Sequence, residues 1–364
     1  MRVALVHDWL NQVGGAEDVL ESLVSIFPDA PVYTSIYWRD RMPAYWQEWD
    51  IRTTFLDGFP RIYKRQQLYL PLFPLAFEQF DFSDYDLVIS NKSGFAHGII
   101  TPPHTLHICY CLTPTRYLWR YQQYAAQERL SRTARLILAP FLNYLRLWDR
   151  LAADRVDHFI AISREIRRRI AKYYRRDSAI IYPPVDLDRF DVCRELGDYY
   201  LFVGRLLPYR RLDVLIEAFN ALDRPLMIAG SGRDRERLER LAGPSVTFLG
   251  YVDGSDLPDL MARSRAFVWP GDEDFGIAPI QAMAAGRPVI AYAAGGALDT
   301  VVPGTGAMFA AQTPEAIIKA VEAFDDAAVD PAFIRAHAAQ FDNAVFRQRI
   351  LGFIEKQMES HQRG

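Results

Sequence analysis

The sequence predicts an α/β fold with parallel sheets, divided into two domains. Short apolar runs such as DLVISN from Asp86 and AFVWP from Ala266 are typical of strands, and amphipathic helical patterns lie between them. Several of these runs show almost no polar alternation, as is usual for strands covered by helices on both faces. The chain has 364 residues, a length that suits two domains better than a single core.

Each half of the chain supplies its own series of strands and helices. The strand candidates are VALVHDW, PVYTSIY, DLVISN, LHICYC and HFIAIS in the first half, and YYLFVG, PLMIAG, VTFLG, AFVWP and PVIAY in the second. Helical periodicity is clearest from Ala16 to Phe27 and from Leu212 to Leu222, where apolar residues share one face. Strands that alternate with helices predict parallel pairing in both halves.

The boundary between the halves is predicted at YPPVDLDRF, from Tyr182 to Phe190. Two prolines interrupt regular structure there, and a new strand candidate begins near Tyr199. The expected domains are therefore residues 1–183 and 184–342. The last segment, residues 343–364, holds an amphipathic helix with no strand after it, so it is free to pack elsewhere.

Composition restricts the class of protein. The net charge of −3 argues against a dedicated nucleic-acid-binding protein, which normally has a strongly basic domain. Apolar runs such as Leu136 to Leu145 are shorter than the roughly 20 residues that span a bilayer, and the first residues resemble a strand more than a signal peptide. The 3 cysteines have no CxxC spacing and are too few for a disulfide framework. We expect a soluble cytoplasmic protein without a nucleic-acid partner.

Two glycine-containing motifs are candidates for anion binding. In HDWLNQVGGAEDVLESL a strand leads through Gly14 and Gly15 into a helix, so the motif fits an anion at the helix start and an ordinary tight turn equally well. In FVGRLLPYRRLDVLIEAF a strand ends at Gly204, and Arg205 and Arg210 flank a helix start, where acids are more usual than bases. Guanidinium groups suit a diphosphate geometrically, so the second motif favours phosphate binding.

A third motif, GDEDFGIAPIQAMAAGRPVIAY, places three acids before a helix that starts near Gly276. Asp272 and Asp274 form a DxD pattern, but such pairs are common in loops and a hard cation needs more oxygen ligands than are evident nearby, so we expect no metal. Acids before a helix also serve as caps, which is the alternative for all three. Eight positions separate Glu273 from Gln281, which would be about 12 Å if the whole stretch were helical, a span that lets them contact different groups of one ligand.

These motifs, taken together, resemble a known family. RLLPYRRLDVLIEAF, MIAGSG, VTFLGYV and EDFGIAPIQAMAAGRPVIAYAAGGALDTV resemble the C-terminal domain of family four retaining glycosyltransferases, especially bacterial mannosyltransferases of polysaccharide assembly. HDWLNQVGGAE and YCLTPTRYLW extend the resemblance to the first half. It implies the GT-B architecture, in which two Rossmann-like domains face each other across a cleft and a C-terminal helix crosses back to the N-terminal domain.

The resemblance also implies roles for individual residues. The N-terminal domain would hold the acceptor and the C-terminal domain the nucleotide sugar. The expected catalytic residues are Arg205 and Arg210, on the donor diphosphate, and Glu273, on hydroxyls of the transferred sugar. Gln281 would face the ribose, and the backbone from Gly250 to Val252 would lie near the base. The expected substrate-binding residues are Gly14, Gly15, Arg116, Ser163, Gly204, Gly230, Gly250, Tyr251, Val252, Asp274, Phe275, Gly276, Ile277 and Gln281. No metal and no other cofactor is expected.

Two positions depart from the family. Glu is usual at the position of Gln281, and an amide accepts one hydrogen bond and donates another where a carboxylate accepts two. His is common at the position of Leu112, and loss of an acid or base group costs about a hundred- to ten-thousand-fold in rate. The family's reaction resembles a front-face transfer assisted by the leaving diphosphate, so the arginines can matter more than the missing His. His97 is one candidate replacement, although a lone His near a turn is more often structural.

Basic and aromatic residues alternate in two segments of the first half, from Arg61 to Phe77 and from Arg116 to Trp148. Such segments lie in membrane interfaces or pack their apolar face on a sheet, and they also occur in single-strand nucleic-acid sites, which the acidic balance disfavours. The favoured interpretation is a cytoplasmic enzyme that contacts the inner face of the plasma membrane to reach a lipid-linked saccharide.

The sequence thus predicts a retaining hexosyltransferase whose donor, as a first guess, is GDP-mannose. A non-catalytic subunit that binds a nucleotide sugar or a partner transferase is the main alternative, motivated by Leu112 and Gln281. A sugar-nucleotide epimerase of the same architecture fits the transferase motifs less well.

Overall fold

The computed structural model describes residues 1–122, 131–193, 195–325 and 329–363. The chain divides into two compact units, one made of Met1–Tyr182 with Arg347–Gly364 and the other of Pro183–Phe346. Each unit contains one parallel sheet, of seven strands in the first and six in the second. The predicted α/β fold with two parallel sheets is confirmed.

The sheet of the first unit has the strand order β3-β2-β1-β4-β5-β6-β7. Its strands are β1 Val3–His7, β2 Val32–Thr34, β3 Ile51–Thr53, β4 Leu87–Lys92, β5 Leu106–Cys111, β6 His158–Ala161 and β7 Ser178–Ile180. Every residue of the central strands β1, β4 and β5 is buried, which explains their lack of polar alternation. The order reverses between β1 and β4, which pair directly with Val3 opposite Leu87.

Helices of the first unit connect these strands. They are α1 Gly15–Ile26, α2 Ile62–Arg65, α3 Phe73–Glu78, α4 Arg116–Trp119, α5 Arg132–Ala152 and α6 Arg164–Tyr173. Helix α1 forms because Val19, Leu20 and Leu23 recur on the face that packs in the core. Phe73, Phe95 and Trp148 belong to the hydrophobic core that joins α3 and α5 to the sheet.

The sheet of the second unit has the order β10-β9-β8-β11-β12-β13. Its strands are β8 Tyr200–Val203, β9 Leu226–Ala229, β10 Val246–Gly250, β11 Ala266–Trp269, β12 Val289–Tyr292 and β13 Gly306–Phe309. Its helices are α7 Leu212–Leu222, α8 Arg235–Glu239, α9 Leu257–Ala262, α10 Ile277–Ala284, α11 Ala297–Thr300, α12 Pro314–Ala323 and α13 Pro331–Ala338, followed by the C-terminal helix α14 Asn343–Arg363. Helix α14 belongs to the first unit from Arg347 onward.

The sequence patterns identified ten of these strands and missed three. The missed strands are β3, β7 and β13, which are only three or four residues long. Among the described residues, no helix combines the length and the apolar character that crossing a bilayer requires.

Candidate functional site

The strand order of the second unit reverses between β8 and β11, which pair directly with Phe267 opposite Leu201. In open parallel sheets, ligands bind beyond the carboxyl ends of the strands at such a reversal. The chain leaves β8 through Gly204 toward Arg210, and it leaves β11 through Gly271 toward Glu273. All three predicted catalytic residues therefore follow adjacent strand ends, Arg205 and Arg210 after β8 and Glu273 after β11, although the two loops are far apart in sequence.

Arg210 and Glu273 form a loose ion pair at this edge. The Nη1 atom of Arg210 lies 3.4 Å from Oε1 of Glu273, and the two side chains are only 12% and 15% exposed. Aromatic rings hold the guanidinium, whose central carbon lies 4.8 Å from the ring centroid of Trp269 and 5.4 Å from that of Tyr209. Contact with ring faces orients a guanidinium without using its N–H donors.

Several polar atoms of this cluster have no hydrogen bond. Nε and Nη1 of Arg210, Oε1 of Glu273 and Nε1 of Trp269 are buried and have no hydrogen-bond partner in the described part of the chain. A buried polar group left unpaired costs about 1–3 kcal/mol, and a charged group costs more. A ligand that offers an anion to Arg210 and hydroxyl groups to Glu273 would remove this cost, so the cluster fits a ligand with both kinds of group.

Close backbone packing sets the position of the pair. Gly204 has a positive φ of +157°, and a Cβ atom built on it would lie 3.3 Å from both Arg210 Nη1 and the Phe202 ring, so a side chain there would crowd the guanidinium. On the other side, the backbone N–H of Gly296 donates to the Glu273 carbonyl oxygen at 2.8 Å. Gly295 has φ +57°, and its Cβ would lie 1.9 Å from the same oxygen.

Gly295 and Gly296 were not among the predicted site residues. The signal that points to them is the Gly-Gly pair in AAGGALDTV, which begins three residues after the last residue of the strand β12. Their contact with Glu273 joins residues from two successive strand ends, and such a contact becomes visible only in the folded chain.

The other predicted donor-side residues lie along the same edge. Gly204, Gly230 and Gly250 follow or end β8, β9 and β10, and the N–H of Gly230 donates to the Gly250 carbonyl oxygen at 2.6 Å. Arg205 and Tyr251 are exposed, and Val252 is half-buried. Asp274 and Phe275 are buried, Gly276 precedes Ile277 at the start of α10, and Gln281 is half-buried on that helix. Gly276 occupies the capping position of α10, so none of the three acids does.

The first unit has a comparable reversal between β1 and β4, where the charged carboxylate of Asp8 is fully paired and only the neutral Oδ1 of Asn91, in β4, is buried without a hydrogen-bond partner among the described residues of the two strands. The Asp8 carboxylate accepts hydrogen bonds from the backbone N–H groups of Ser93, Gly94, Phe95 and Ala96 at 2.5–2.8 Å, and from the Ser93 hydroxyl at 3.0 Å. These backbone donors are of the kind that bind anions in other folds. Here the chain's own carboxylate uses them.

The predicted acceptor-side residues lie in the first unit. Gly14 and Gly15 lie at the start of α1, and Arg116 is the half-buried first residue of α4. The Ser163 side chain is fully buried and accepts a hydrogen bond from the N–H of Ile166 at 3.2 Å, so it caps α6. This capping bond is an alternative to a substrate contact for Ser163.

A buried charge network lies beyond the ends of β4 and β5. The Asp149 carboxylate accepts hydrogen bonds from the Thr115 hydroxyl at 2.6 Å, Trp119 Nε1 at 2.6 Å and the Tyr174 hydroxyl at 2.8 Å. Lys92 Nζ lies 3.9 Å from Asp149 Oδ1 and donates to the Thr115 and Tyr174 hydroxyls. Burial alone raises the pKa of Asp149, but the charge of Lys92 and the hydrogen bonds lower it overall. The network anchors the start of α4, which carries Arg116.

His97 is part of this network. Its ring is fully buried, stacks on Tyr174 with the centroids 5.6 Å apart, and contacts the Asp149 carbonyl oxygen at 3.1 Å. Burial and then the positive charge of Lys92 lower the pKa of His97 to about 4. These contacts are those of a structural histidine. Leu112, directly after β5, is also buried.

Within the described residues, no group of three or more His, Cys, Asp or Glu side chains is arranged to hold a metal ion.

Two family models match the chain, one for each half. The model described as Glycosyltransferase Family 4 matches residues 13–189, and the model described as Glycosyl transferases group 1 matches residues 197–324. The second match covers the Arg210–Glu273 cluster.

Curated relatives match parts of the chain. The O-antigen chain mannosyltransferase RfbU of Salmonella typhimurium is 30% identical over 163 residues, which is 40% of this chain and 45% of that protein. A GDP-mannose-dependent monoacylated alpha-(1-6)-phosphatidylinositol monomannoside mannosyltransferase of Corynebacterium glutamicum is 37% identical over 119 residues, or 28% of this chain and 31% of that protein. The matched stretch thus spans less than half the length of either relative.

Solved structures share the fold over nearly the whole chain. Anabaena HepE in complex with UDP and glucose is 19% identical, with a TM-score of 0.69, and the match covers 98% of this chain and all of that one. Sucrose-phosphate synthase of Thermosynechococcus elongatus is 19% identical, with a TM-score of 0.73, over 99% of this chain and all of that one. At this identity the likeness concerns the fold alone, and it confirms the predicted GT-B fold.

Proposed function

Because the chain belongs to the glycosyltransferases that these family models describe, we propose that it moves a hexose from a nucleotide sugar to a saccharide or lipid-linked saccharide. The reaction proceeds with retention at the anomeric carbon. The products belong to surface polysaccharide or glycolipid synthesis.

The Arg210–Glu273 cluster is the single observation that carries this proposal. A nucleotide sugar offers both groups that the cluster lacks, a diphosphate for the N–H donors of Arg210 and sugar hydroxyls for Oε1 of Glu273. Charge grows on the diphosphate as the glycosidic bond breaks, so a guanidinium held in place by Trp269 stabilises the transition state more than the ground state. Arg205, on the same loop, adds a second positive charge.

The acceptor hydroxyl attacks from the face that the diphosphate leaves, and a diphosphate oxygen takes its proton. This route uses no side-chain base, which agrees with a leucine at position 112. The arginines do the work that a divalent cation does elsewhere, so transfer continues when a chelator is present.

GDP-mannose is the proposed donor. Two of the relatives are named as mannosyltransferases, and the name of one of them specifies GDP-mannose as the donor. The acceptor is proposed to bind to the first unit, where Gly14, Gly15 and Arg116 lie near strand ends. We also propose that the protein acts in the cytoplasm at the inner face of the plasma membrane.

The second candidate function is a non-catalytic subunit that binds the nucleotide sugar or a partner transferase. Gln281 and Leu112 favour this candidate, since the family that the sequence resembles usually has residues with acid or base character at these two positions.

The test begins with thermal melts of the purified chain in the presence of a panel of nucleotide sugars. A donor present at a hundred times its Kd adds about 2.7 kcal/mol to the free energy of unfolding of the unit that binds it. Donors that stabilise the chain are then incubated with and without EDTA, and hydrolysis or transfer is followed by product analysis. Stabilisation with turnover supports the enzyme, and stabilisation without any turnover supports the non-catalytic subunit. If no nucleotide sugar raises the melting temperature, the transferase proposal is wrong, and so is a non-catalytic subunit that binds a nucleotide sugar.

A further inference from the structure

Helix α5 has two apolar faces, and only one of them is packed. Leu142, Leu145, Trp148 and Ala152 are buried in the core of the first unit. The opposite face carries large apolar side chains that are at least half exposed: Leu136 (76%), Ile137 (63%), Phe141 (51%), Tyr144 (50%), Leu147 (59%) and Leu151 (63%). We call these six residues the outer stripe of α5.

The outer stripe is continuous along the helix. Its members follow one another at intervals of one, three or four residues, which places them side by side on one surface of a helix. The helix is 21 residues long, so the stripe extends over about 20–25 Å from Leu136 to Leu151. A surface helix normally presents polar residues on its outer face, and a contiguous exposed apolar patch of this kind marks a contact with a partner or a membrane.

The charges of α5 indicate which kind of partner the outer stripe would bind. Its only acidic residue is Asp149, which is fully buried, so the exposed surface of the helix carries no negative charge of its own. Arg135, Arg146 and Arg150 are spaced so that they form a second row along the edge of the stripe. The half-buried Arg146 donates its Nε–H to the Leu118 carbonyl oxygen at 2.8 Å, which leaves its terminal nitrogens for an anion. Arg150 also pairs with the exposed Asp154 at 2.7 Å, a contact of about 0–1 kcal/mol that a stronger anion can replace.

We propose that the outer stripe of α5 docks on an anionic lipid surface, with the apolar side chains at the boundary of headgroups and acyl chains and the arginine row on lipid phosphates. Interfacial helices combine an apolar face with a cationic border in this way. A second copy of the chain suits the stripe less well, because two such helices would bring their arginine rows together without acidic partners.

The structure shows which part of the two segments predicted to contact a membrane has an exposed apolar surface. In the segment from Arg61 to Phe77, Ile62, Phe73 and Phe77 are buried in the core, and Leu68 and Leu75 are exposed. In the segment from Arg116 to Trp148, residues 123–130 lie outside the described residues. Among the described residues of the two segments, the continuous exposed apolar surface is therefore the outer stripe of α5.

Liposome sedimentation tests the proposal on the full chain without nucleotide or acceptor, so the result is independent of the proposed transfer reaction. Vesicles of phosphatidylcholine with phosphatidylglycerol are compared with vesicles of phosphatidylcholine alone, at low and high salt. We expect binding to the anionic vesicles that weakens as salt screens the arginines. No binding to anionic vesicles at low salt would overturn the proposal.

Two variants test whether vesicle binding depends on the outer stripe. The substitution L136Q/L147Q/L151Q changes three exposed residues of the stripe, and F141Q/Y144Q changes two others, so the second variant serves if the first fails to fold. The matched control L249Q/L298Q/M308Q changes apolar residues of the second unit that are also exposed. We expect each stripe variant to lose at least tenfold in vesicle affinity and the control to bind like the wild type. Wild-type binding by both stripe variants would contradict the proposal.

The oligomeric state tests whether the outer stripe binds a second copy of the chain instead of lipid. In analytical ultracentrifugation, we expect the wild type and the stripe variants to have the same oligomeric state. A dimer that L136Q/L147Q/L151Q breaks, together with unchanged vesicle binding, would assign the stripe to a second copy of the chain and would overturn the lipid assignment.

Discussion

At the point where strand order reverses, the first unit presents Asp8 and the second presents Arg210 and Glu273. Asp8 receives five hydrogen bonds from the segment after β4, and every donor belongs to the chain itself. Arg210 and Glu273 contact each other at 3.4 Å and leave buried donor and acceptor atoms unpaired among the described residues. The same topology thus supports one edge whose charged carboxylate the chain pairs fully, although the neutral Oδ1 of Asn91 lacks a partner among the described residues, and one edge whose charged side chains keep unpaired buried atoms.

This difference in hydrogen bonding indicates that the first edge contributes to stability and the second to ligand binding. A fully hydrogen-bonded buried network holds its loops in one arrangement, and loss of one member exposes the others to the full desolvation cost. Unpaired polar atoms reduce stability and are retained where a ligand pairs with them. We therefore expect substitutions at the first edge to act on folding and substitutions at the second to act on ligand binding and turnover.

The largest effect is expected for Asp149→Asn in the buried network of the first unit. The substitution removes the negative charge beside Lys92, and breaking a buried ion pair costs about 3–5 kcal/mol. The control is Asp154→Asn, which breaks an exposed pair with Arg150 and costs about 0–1 kcal/mol. Thermal melts combined with hydrogen exchange of the first unit measure both. Equal stability of the two variants would show that the network does not stabilise the unit.

Acid should weaken the first unit through its buried histidines. Burial lowers the pKa of His97 to about 4 and that of His107 to about 3, with the charges of Lys92 and His97 as the respective next causes. Because the unfolded chain binds protons near pH 6.5, stability is lost as pH falls from 6.5 toward 4, and His97 alone accounts for about 3 kcal/mol.

Hydrogen exchange of the first unit between pH 7 and pH 4.5 measures this loss, and in His97→Gln the dependence on pH should be shallower, whatever its stability at pH 7. The titratable groups around the ring, Asp149, Lys92 and Tyr174, remain in that variant. An unchanged slope would mean that His97 is not the group that responds to acid.

Arg210→Ala tests the second edge. A hydrogen bond to a charged group contributes about 1.5–3 kcal/mol, so the affinity for a nucleoside diphosphate should fall by about 10- to 150-fold while the affinity for the nucleoside stays the same. The control is Arg224→Ala, because Arg224 lies before β9 at the opposite edge and donates to the Tyr200 hydroxyl at 3.0 Å. Calorimetry measures the affinities of the wild type and of both variants for the two ligands, and equal losses for the two ligands in Arg210→Ala would contradict the diphosphate contact.

Glu273→Gln separates the two roles within the pair. If Glu273 holds hydroxyls of the transferred hexose, turnover should fall by at least about tenfold, with a smaller change in affinity for the free nucleotide. Steady-state kinetics and thermal melts are measured together, since an effect on stability alone would indicate a structural carboxylate. A variant with wild-type turnover would show that the Glu273 charge has no part in transfer.

The smallest effect is expected for Gln281→Glu. Gln281 is half-buried on α10, and its proposed partner is the ribose, where a carboxylate accepts from both hydroxyls and the amide accepts from one. Affinity for the nucleotide sugar should rise by a few-fold, less than the 1.4 kcal/mol that corresponds to about tenfold. The preference among sugars should stay the same. Weaker binding in this variant would place Gln281 away from the ribose.

Much of the fold was predictable because its signals are local. The ten identified strands are apolar over most of their length, and α7 was predicted with the observed bounds, Leu212–Leu222. The strands β3, β7 and β13 were missed because they are edge strands that are mostly half-buried or exposed, so their sequences lack the apolar run that marks the central strands. Part of the site was predictable for the same reason, since Arg210 and Glu273 each follow an apolar run at a glycine-containing turn. The prediction of their catalytic role stays a prediction.

The sequence by itself determined that two parallel sheets form and which loops follow their strands, because apolar periodicity and glycine positions act over a few neighbouring residues. Only the tertiary structure decided which polar atoms are paired. Asp8 meets its donors 85–88 residues along the chain, Asp149 meets Thr115 34 residues before it, and Gly296 meets the loop of Glu273 across two strand ends. The packed and exposed faces of α5 were also decided there, since both are apolar and only the core of the first unit selects one for burial.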